Sequence, residues 1–158
     1  MQRFNSLGYA LTFLLFFMVL GCNDDNDVVD NTNVWSGAKI TFTKADLADW
    51  TLEENQDRIT PNVWITRANT KGIFNIVSET AYSDVSPSDT EWAYGTTDDL
   101  DNLLFDTWIN TSGNNPSSMI DKNVVLHLIS DDIYMDVIFK SFSGGGSAGG
   151  FSYERSTK

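Results

Sequence analysis

Cysteine occurs once, histidine once and proline three times in 158 residues, and each scarcity removes a class of answers. A lone cysteine, Cys22, leaves no internal disulfide to hold a fold together, whatever the redox state of the compartment. It also leaves no thiol pair for a zinc site, and the single imidazole of His127 does not supply the missing ligands. His127 could act as a base, yet no Gly-x-Ser-x-Gly elbow accompanies it to provide a nucleophile. Positive charge is short as well: 10 Lys and Arg stand against 22 Asp and Glu, a formal net charge of −12. A chain this acidic repels the phosphates of nucleic acid and the surface of an anionic membrane. Neutral ligands such as glycans, or cations, suit it better.

Long apolar runs are rare too, with one exception near the N-terminus. The run Leu14–Cys22 ends Val19-Leu20-Gly21-Cys22 and lies behind one cation, Arg3. A positive start, an apolar middle and small residues at a cleavage point make a secretory signal peptide, here residues 1–21. A transmembrane helix would need about 20 apolar residues. Residues 7–20 are fewer, are interrupted by Gly8 and Thr12, and Asp24, Asp25 and Asp27 follow directly after Cys22. Val19–Cys22 resembles the lipobox of bacterial lipoproteins, in which the cysteine is acylated and becomes the first residue of the mature chain. The resemblance implies lipidation of Cys22, membrane attachment through that lipid, and an address at the outer membrane or cell surface of a Gram-negative bacterium. One acyl chain holds a protein to a membrane only marginally; lipoproteins of this kind carry a diacylglyceryl group and usually an amide-linked chain.

Residues 22–33 continue as an acidic, polar tether that cannot bury enough surface to offset the entropy of ordering it. Its acids resemble the export signals of some surface lipoproteins, and a plain solvated spacer accounts for them equally well. Loss of the leader removes Arg3, leaving 9 cations and 22 acids, a net charge of −13. Residues 34–158 then form one β-rich domain with one core.

Strand signals recur there at short spacing between turn-rich segments: Lys39–Thr43, Asn62–Arg67, Gly72–Val77, Trp92–Thr97, Val124–Ser130, Ile133–Phe142 and Phe151–Ser156. That spacing predicts an all-β fold, a single antiparallel β-sandwich or barrel-like domain. Helical pattern is thin. Asp98–Ile109 places Leu100, Leu103, Leu104 and Trp108 at helical spacing behind the caps Thr97 and Asp98, and reads equally as an extended aromatic-rich segment. With Asp131 and Asp132 as a two-residue loop, Leu128 faces Met135, Leu126 faces Val137 and Val124 faces Phe139 on one buried face. The other face then sets His127 opposite Asp136. The loop lacks the glycine that such a tight turn favours.

Three constellations could carry chemistry. Gly144–Gly149 matches Gly-x-Gly-x-x-Gly but lies between two strands, so no helix N-terminus follows to receive a phosphate. It reads as a hairpin loop. Asp98, Asp99 and Asp101, and separately Asp131 and Asp132, offer hard oxygen ligands for calcium, without the EF-hand order; solvated turn carboxylates are the plainer reading. Five tryptophans are many for a small domain. An exposed pair, Trp64 and Trp92, with Asp57 and Arg58 beside Trp64, would make a stacking platform for sugar rings; the plainer reading is that Asp57, Arg58, Arg67, Glu154 and Arg155 form ion pairs within or between strands that hold the loops in place.

Glu53–Thr60, Asn62–Arg67, Trp92–Thr97, His127–Phe139 and Gly149–Thr157 together resemble an uncharacterised domain of secreted and surface proteins of bacteria. That resemblance implies an extracellular module and carries no catalytic residue and no cofactor. The expectation is a non-catalytic binding or adhesion module for a glycan or another extracellular ligand. A carboxylate hydrolase of extracellular polymers and a structural envelope protein are the alternatives.

Overall fold

The computed structural model describes residues 33–144, 146 and 148–158, and the fold is all-β. The leader, Cys22 and the tether up to residue 32 lie outside the described residues, as do Gly145 and Ser147 of the glycine motif. Nine strands run through the described residues: β1 Asn33–Trp35, β2 Ile40–Lys44, β3 Asp57–Arg58, β4 Trp64–Arg67, β5 Ile73–Asn75, β6 Thr90–Tyr94, β7 Val124–Leu128, β8 Ile133–Phe142 and β9 Phe151–Arg155. The large sheet has the order β2-β9-β8-β7-β6, with β1 added to β8 in parallel; the small sheet is β3-β4-β5. Every pairing but that of β1 is antiparallel. Asn33, read as the end of the tether, opens β1 opposite Ile133.

One apolar cluster joins the two sheets. Val63, Ile65 and Ile73 of the small sheet and its loops pack with Trp92, Val124, Leu126, Leu128, Met135, Val137 and Phe139 of the large one. This shared interior makes the arrangement sandwich-like. All five residues of β7 are buried, so that strand is covered on both faces. On the second face Phe105 packs edge-on to His127 and Tyr134, with ring centroids 6.0 and 5.7 Å away.

The β7–β8 register differs from the sequence expectation by two residues. Leu128, not Ser130, pairs with Ile133, which puts Leu126 opposite Met135 and Val124 opposite Val137. Ile129–Asp132 form a four-residue loop in which Asp132 takes φ +50°. Aspartate tolerates this left-handed backbone, so no glycine is needed. A shift of two preserves side-chain alternation, and the residues expected inward are indeed inward: Leu126, Leu128, Met135, Val137 and Phe139 are all buried. His127 faces Tyr134 rather than Asp136.

Asp98–Ile109 is not one helix. A kinked 3-10 segment spans Thr97–Asn102, and a single turn of helix, α1, spans Trp108–Thr111. Between them Asp106 pairs with Trp92 as an isolated bridge, and Leu104 is 90% exposed. The bridge extends the backbone there, which explains why the helical spacing of the leucines does not produce a helix.

Near its end β8 carries a bulge. Phe139 pairs with Tyr153, but Ser141 pairs with Ser152 and Phe142 with Phe151. Strict alternation from Phe139 would bring Ser141 to the core side. The extra residue reverses this and aims Phe142 inward, the usual effect of a bulge on a side chain.

Candidate functional site

Of the four residues expected to form a sugar platform, Arg58 lies beside Trp64 as expected, but the four do not share one exposed face. Trp92 is fully buried, its indole N–H donating to Thr90 Oγ1 at 3.0 Å; burial in the β6 core removes it from any binding face. Asp57 is buried too. Arg155 donates to it from Nε at 2.7 Å and Nη2 at 2.9 Å, and the Tyr153 hydroxyl donates at 2.6 Å. This cluster ties β3 of the small sheet to β9 of the large one, and its carboxylate, buried and accepting three hydrogen bonds, is committed within the fold. Burial, and next the Asp57 charge, push the Tyr153 phenol well above its ordinary range. Trp64 is half-buried, with the Arg58 guanidinium 4.1 Å over its ring. Arg58 in turn pairs with Glu53 at 3.0 Å and donates to Gln56 Oε1. One face of the indole is therefore occupied.

The acidic turns are also committed internally. Asp131 accepts from Thr60 Oγ1 at 2.5 Å and from Asn62 Nδ2 at 2.8 Å, and Asp99 accepts from Asn102. Asp132 Oδ1 lies 3.3 Å from His127 Nε2, and Glu91 Oε1 lies 2.7 Å from His127 Nδ1. The ring stacks on Tyr134 with centroids 3.9 Å apart. Both imidazole nitrogens thus face carboxylates, and no hydroxyl is set against either as a nucleophile. Asp98 and Asp101 are exposed. Among the described residues no group of three or more His, Cys, Asp or Glu side chains is arranged to hold a metal ion.

A cleft of about 410 Å³ lies elsewhere, walled by Lys71, Gly72, Tyr82, Asp84, Trp108 and Phe142 and by the Asn114–Ser117 segment. That volume falls in the range of small-ligand sites, about 300–1,000 Å³. Its apolar side is three rings: Tyr82 lies edge-on to Trp108 at 6.4 Å, and Trp108 lies 5.5 Å from Phe142. Gly72 makes this possible. A Cβ there would come within 2.4 Å of the Tyr82 ring and 2.6 Å of the Trp108 ring, so the missing side chain lets both rings rest on the backbone.

Local chemistry positions each wall. Thr107 caps α1 by accepting from the Asn110 N–H, and Thr111 Oγ1 donates to the Trp92 carbonyl at 2.9 Å, which docks α1 on β6. Gly113 and Asn114 then take φ of +62° and +61°, residue types that tolerate this region, and they turn the chain into Asn115-Pro116. On the facing wall Arg67 is buried. It donates to the carbonyls of Lys71 at 2.9 Å, Gly150 at 2.8 Å and Ser143 at 2.9 Å, and its guanidinium lies 3.7 Å over the Phe142 ring. Burial pushes this guanidinium down to about 10, so it remains charged at neutral pH. Arg67 fixes both Phe142 and Lys71, the latter at φ +70°.

The polar lining is not committed within the described residues. Among the described residues the side chains of Lys71, Tyr82, Asp84, Asn114, Asn115 and Ser117 make no hydrogen bond or ion pair. Burial, and next the Asp84 carboxylate, raise the Tyr82 phenol above its ordinary range, which keeps it a donor. The Trp108 indole N–H is buried without an acceptor. None of these residues was singled out as a site from sequence. The turn-forming residues Gly113-Asn114-Asn115-Pro116 are the local signal that points toward this wall, and Trp108 belongs both to the helical pattern of Asp98–Ile109 and to the five tryptophans.

No family model matches the chain, and no curated protein or solved structure matches it. No helix among the described residues is long and apolar enough to cross a membrane.

Proposed function

We propose that this chain is a lipid-anchored surface module that binds an extracellular glycan, without cleaving it, in the cleft of Tyr82, Trp108 and Phe142. The observation that carries the reading is the six uncommitted polar side chains gathered around the half-buried rings of Tyr82 and Phe142, with Trp108 buried behind them. Sugar rings present apolar C–H faces to aromatic rings and hydroxyls to amide, hydroxyl and charged groups. The anchor rests on the lipobox-like Val19–Cys22. The non-catalytic part rests on the lining, where Asp84 is the one carboxylate among the described residues. Hydrolysis by an acid–base pair needs two, about 5–9.5 Å apart.

Tryptophan fluorescence titrated against a glycan panel, with release of reducing ends followed in parallel, tests the reading. Saturable binding that Tyr82→Ala weakens, with no release of reducing ends, is the expected result. Cleavage that disappears in Asp84→Asn would assign a hydrolase instead. Mass analysis of the native protein is expected to find an acylated Cys22 as its first residue; an intact N-terminus would refute the anchor.

A further inference from the structure

Resting on the cleft as the glycan site, we infer that its ligand is a zwitterionic saccharide, with an ammonium group facing Asp84 and a carboxylate facing Lys71. The two residues are exposed and line the same cleft. They carry opposite charge, yet they make no ion pair with each other or with any described residue. Lys71 is also held where it is. Its carbonyl accepts from the buried Arg67, and its backbone stays left-handed, a conformation that persists when surrounding structure enforces it.

The field of the whole protein narrows the choice. With a net charge of −13 after leader removal, the surface repels a ligand of net negative charge. An ammonium group suits that surface and Asp84, and a carboxylate on the same molecule, which leaves it without net charge, gives Lys71 its partner. Tyr82 adds a ring face beside Asp84, and ring faces attract ammonium groups. Asn114, Asn115 and Ser117 supply donors and acceptors for hydroxyls between the charged ends, which favours a sugar over a peptide.

Four disaccharides test this: glucosamine joined to glucuronic acid, its N-acetylated form, its carboxyl-reduced form, and the form with both changes. Calorimetry with the full domain is expected to rank the zwitterion tightest. Each charge contributes about fivefold, the factor given by about 1 kcal/mol for an exposed pair. Asp84→Asn removes the gain from the free amine alone, and Lys71→Met removes the gain from the carboxylate alone. Tyr82→Ala weakens all four, with unchanged thermal midpoints excluding misfolding. Equal binding of all four, still weakened by Tyr82→Ala, would overturn the zwitterion while leaving the glycan cleft intact. Failure of all four and of the neutral panel would overturn both. A simple dipeptide binding in preference to every saccharide would replace sugar with peptide.

Discussion

The β7–β8 turn and the aromatic cleft are both rich in polar side chains, and they use them in opposite ways. At the turn, Asp131 engages Thr60 and Asn62, Asp132 engages His127, and Asp89 accepts from the Ser130 N–H and hydroxyl. The same economy holds inside, where Asp57, Arg155 and Tyr153 satisfy one another across the two sheets. In the cleft, Asp84, Lys71, Asn114, Asn115 and Ser117 line one concave surface and leave their donors and acceptors open. A polar group that holds a fold together has its partners within the chain. On the proposed reading, one that serves a ligand keeps them for the ligand.

The comparison can be broken most easily at the buried network. Asp57→Ala leaves the Arg155 charge buried without its partner, and chemical denaturation is expected to show a loss of about 3–5 kcal/mol. A ligand site would lose binding and keep stability; the opposite is expected here. Leu126→Ala and Phe139→Ala, at fully buried positions, are expected to cost about 2–5 kcal/mol each. Losses under about half a kilocalorie at both would contradict the inward faces of β7 and β8.

Gly72→Ala probes the boundary between frame and site. The new methyl group must displace the Tyr82 or Trp108 ring, at an expected cost of about 1–3 kcal/mol for overpacking. Glycan affinity is expected to fall as well, since two rings of the floor move. The smallest effects form a matched pair. Asp131→Ala is expected to cost about 1 kcal/mol through its lost hydrogen bonds and to leave binding alone. Asn115→Ala is expected to change stability by less than about 0.5 kcal/mol and to weaken binding. Reversal of that pair in thermal melts and titrations would dissolve the distinction between the two regions.

The β class and the inward faces of β7 and β8 were legible because they depend on side-chain alternation, which survives a two-residue error in register. The loop length was not, since it turns on Asp132 adopting a left-handed backbone that composition does not announce. Asp57 and Arg155 were legible as charges able to pair between strands, and they do pair; that Tyr153 joins them, and that the cluster is buried, depends on the strand order that brings β9 to β3. Trp92, read as exposed, is buried for the same reason: burial is decided by neighbours far along the chain. The cleft draws its walls from residues 71–84, 108–117 and 142, and Phe142 reaches it only through the bulge in β8. No local window contains that information.

The most direct test of the cleft as the binding site is a titration of ¹⁵N-labelled protein with the disaccharide that binds best, followed by amide and indole NMR signals. The account predicts that shifts concentrate at Lys71–Gly72, Asn114–Ser117 and the Trp108 indole N–H, while the Trp64 indole and the amides of Asp131 and Asp132 stay in place. Shifts centred on Trp64 and Arg58, with the Trp108 indole unmoved, would contradict it.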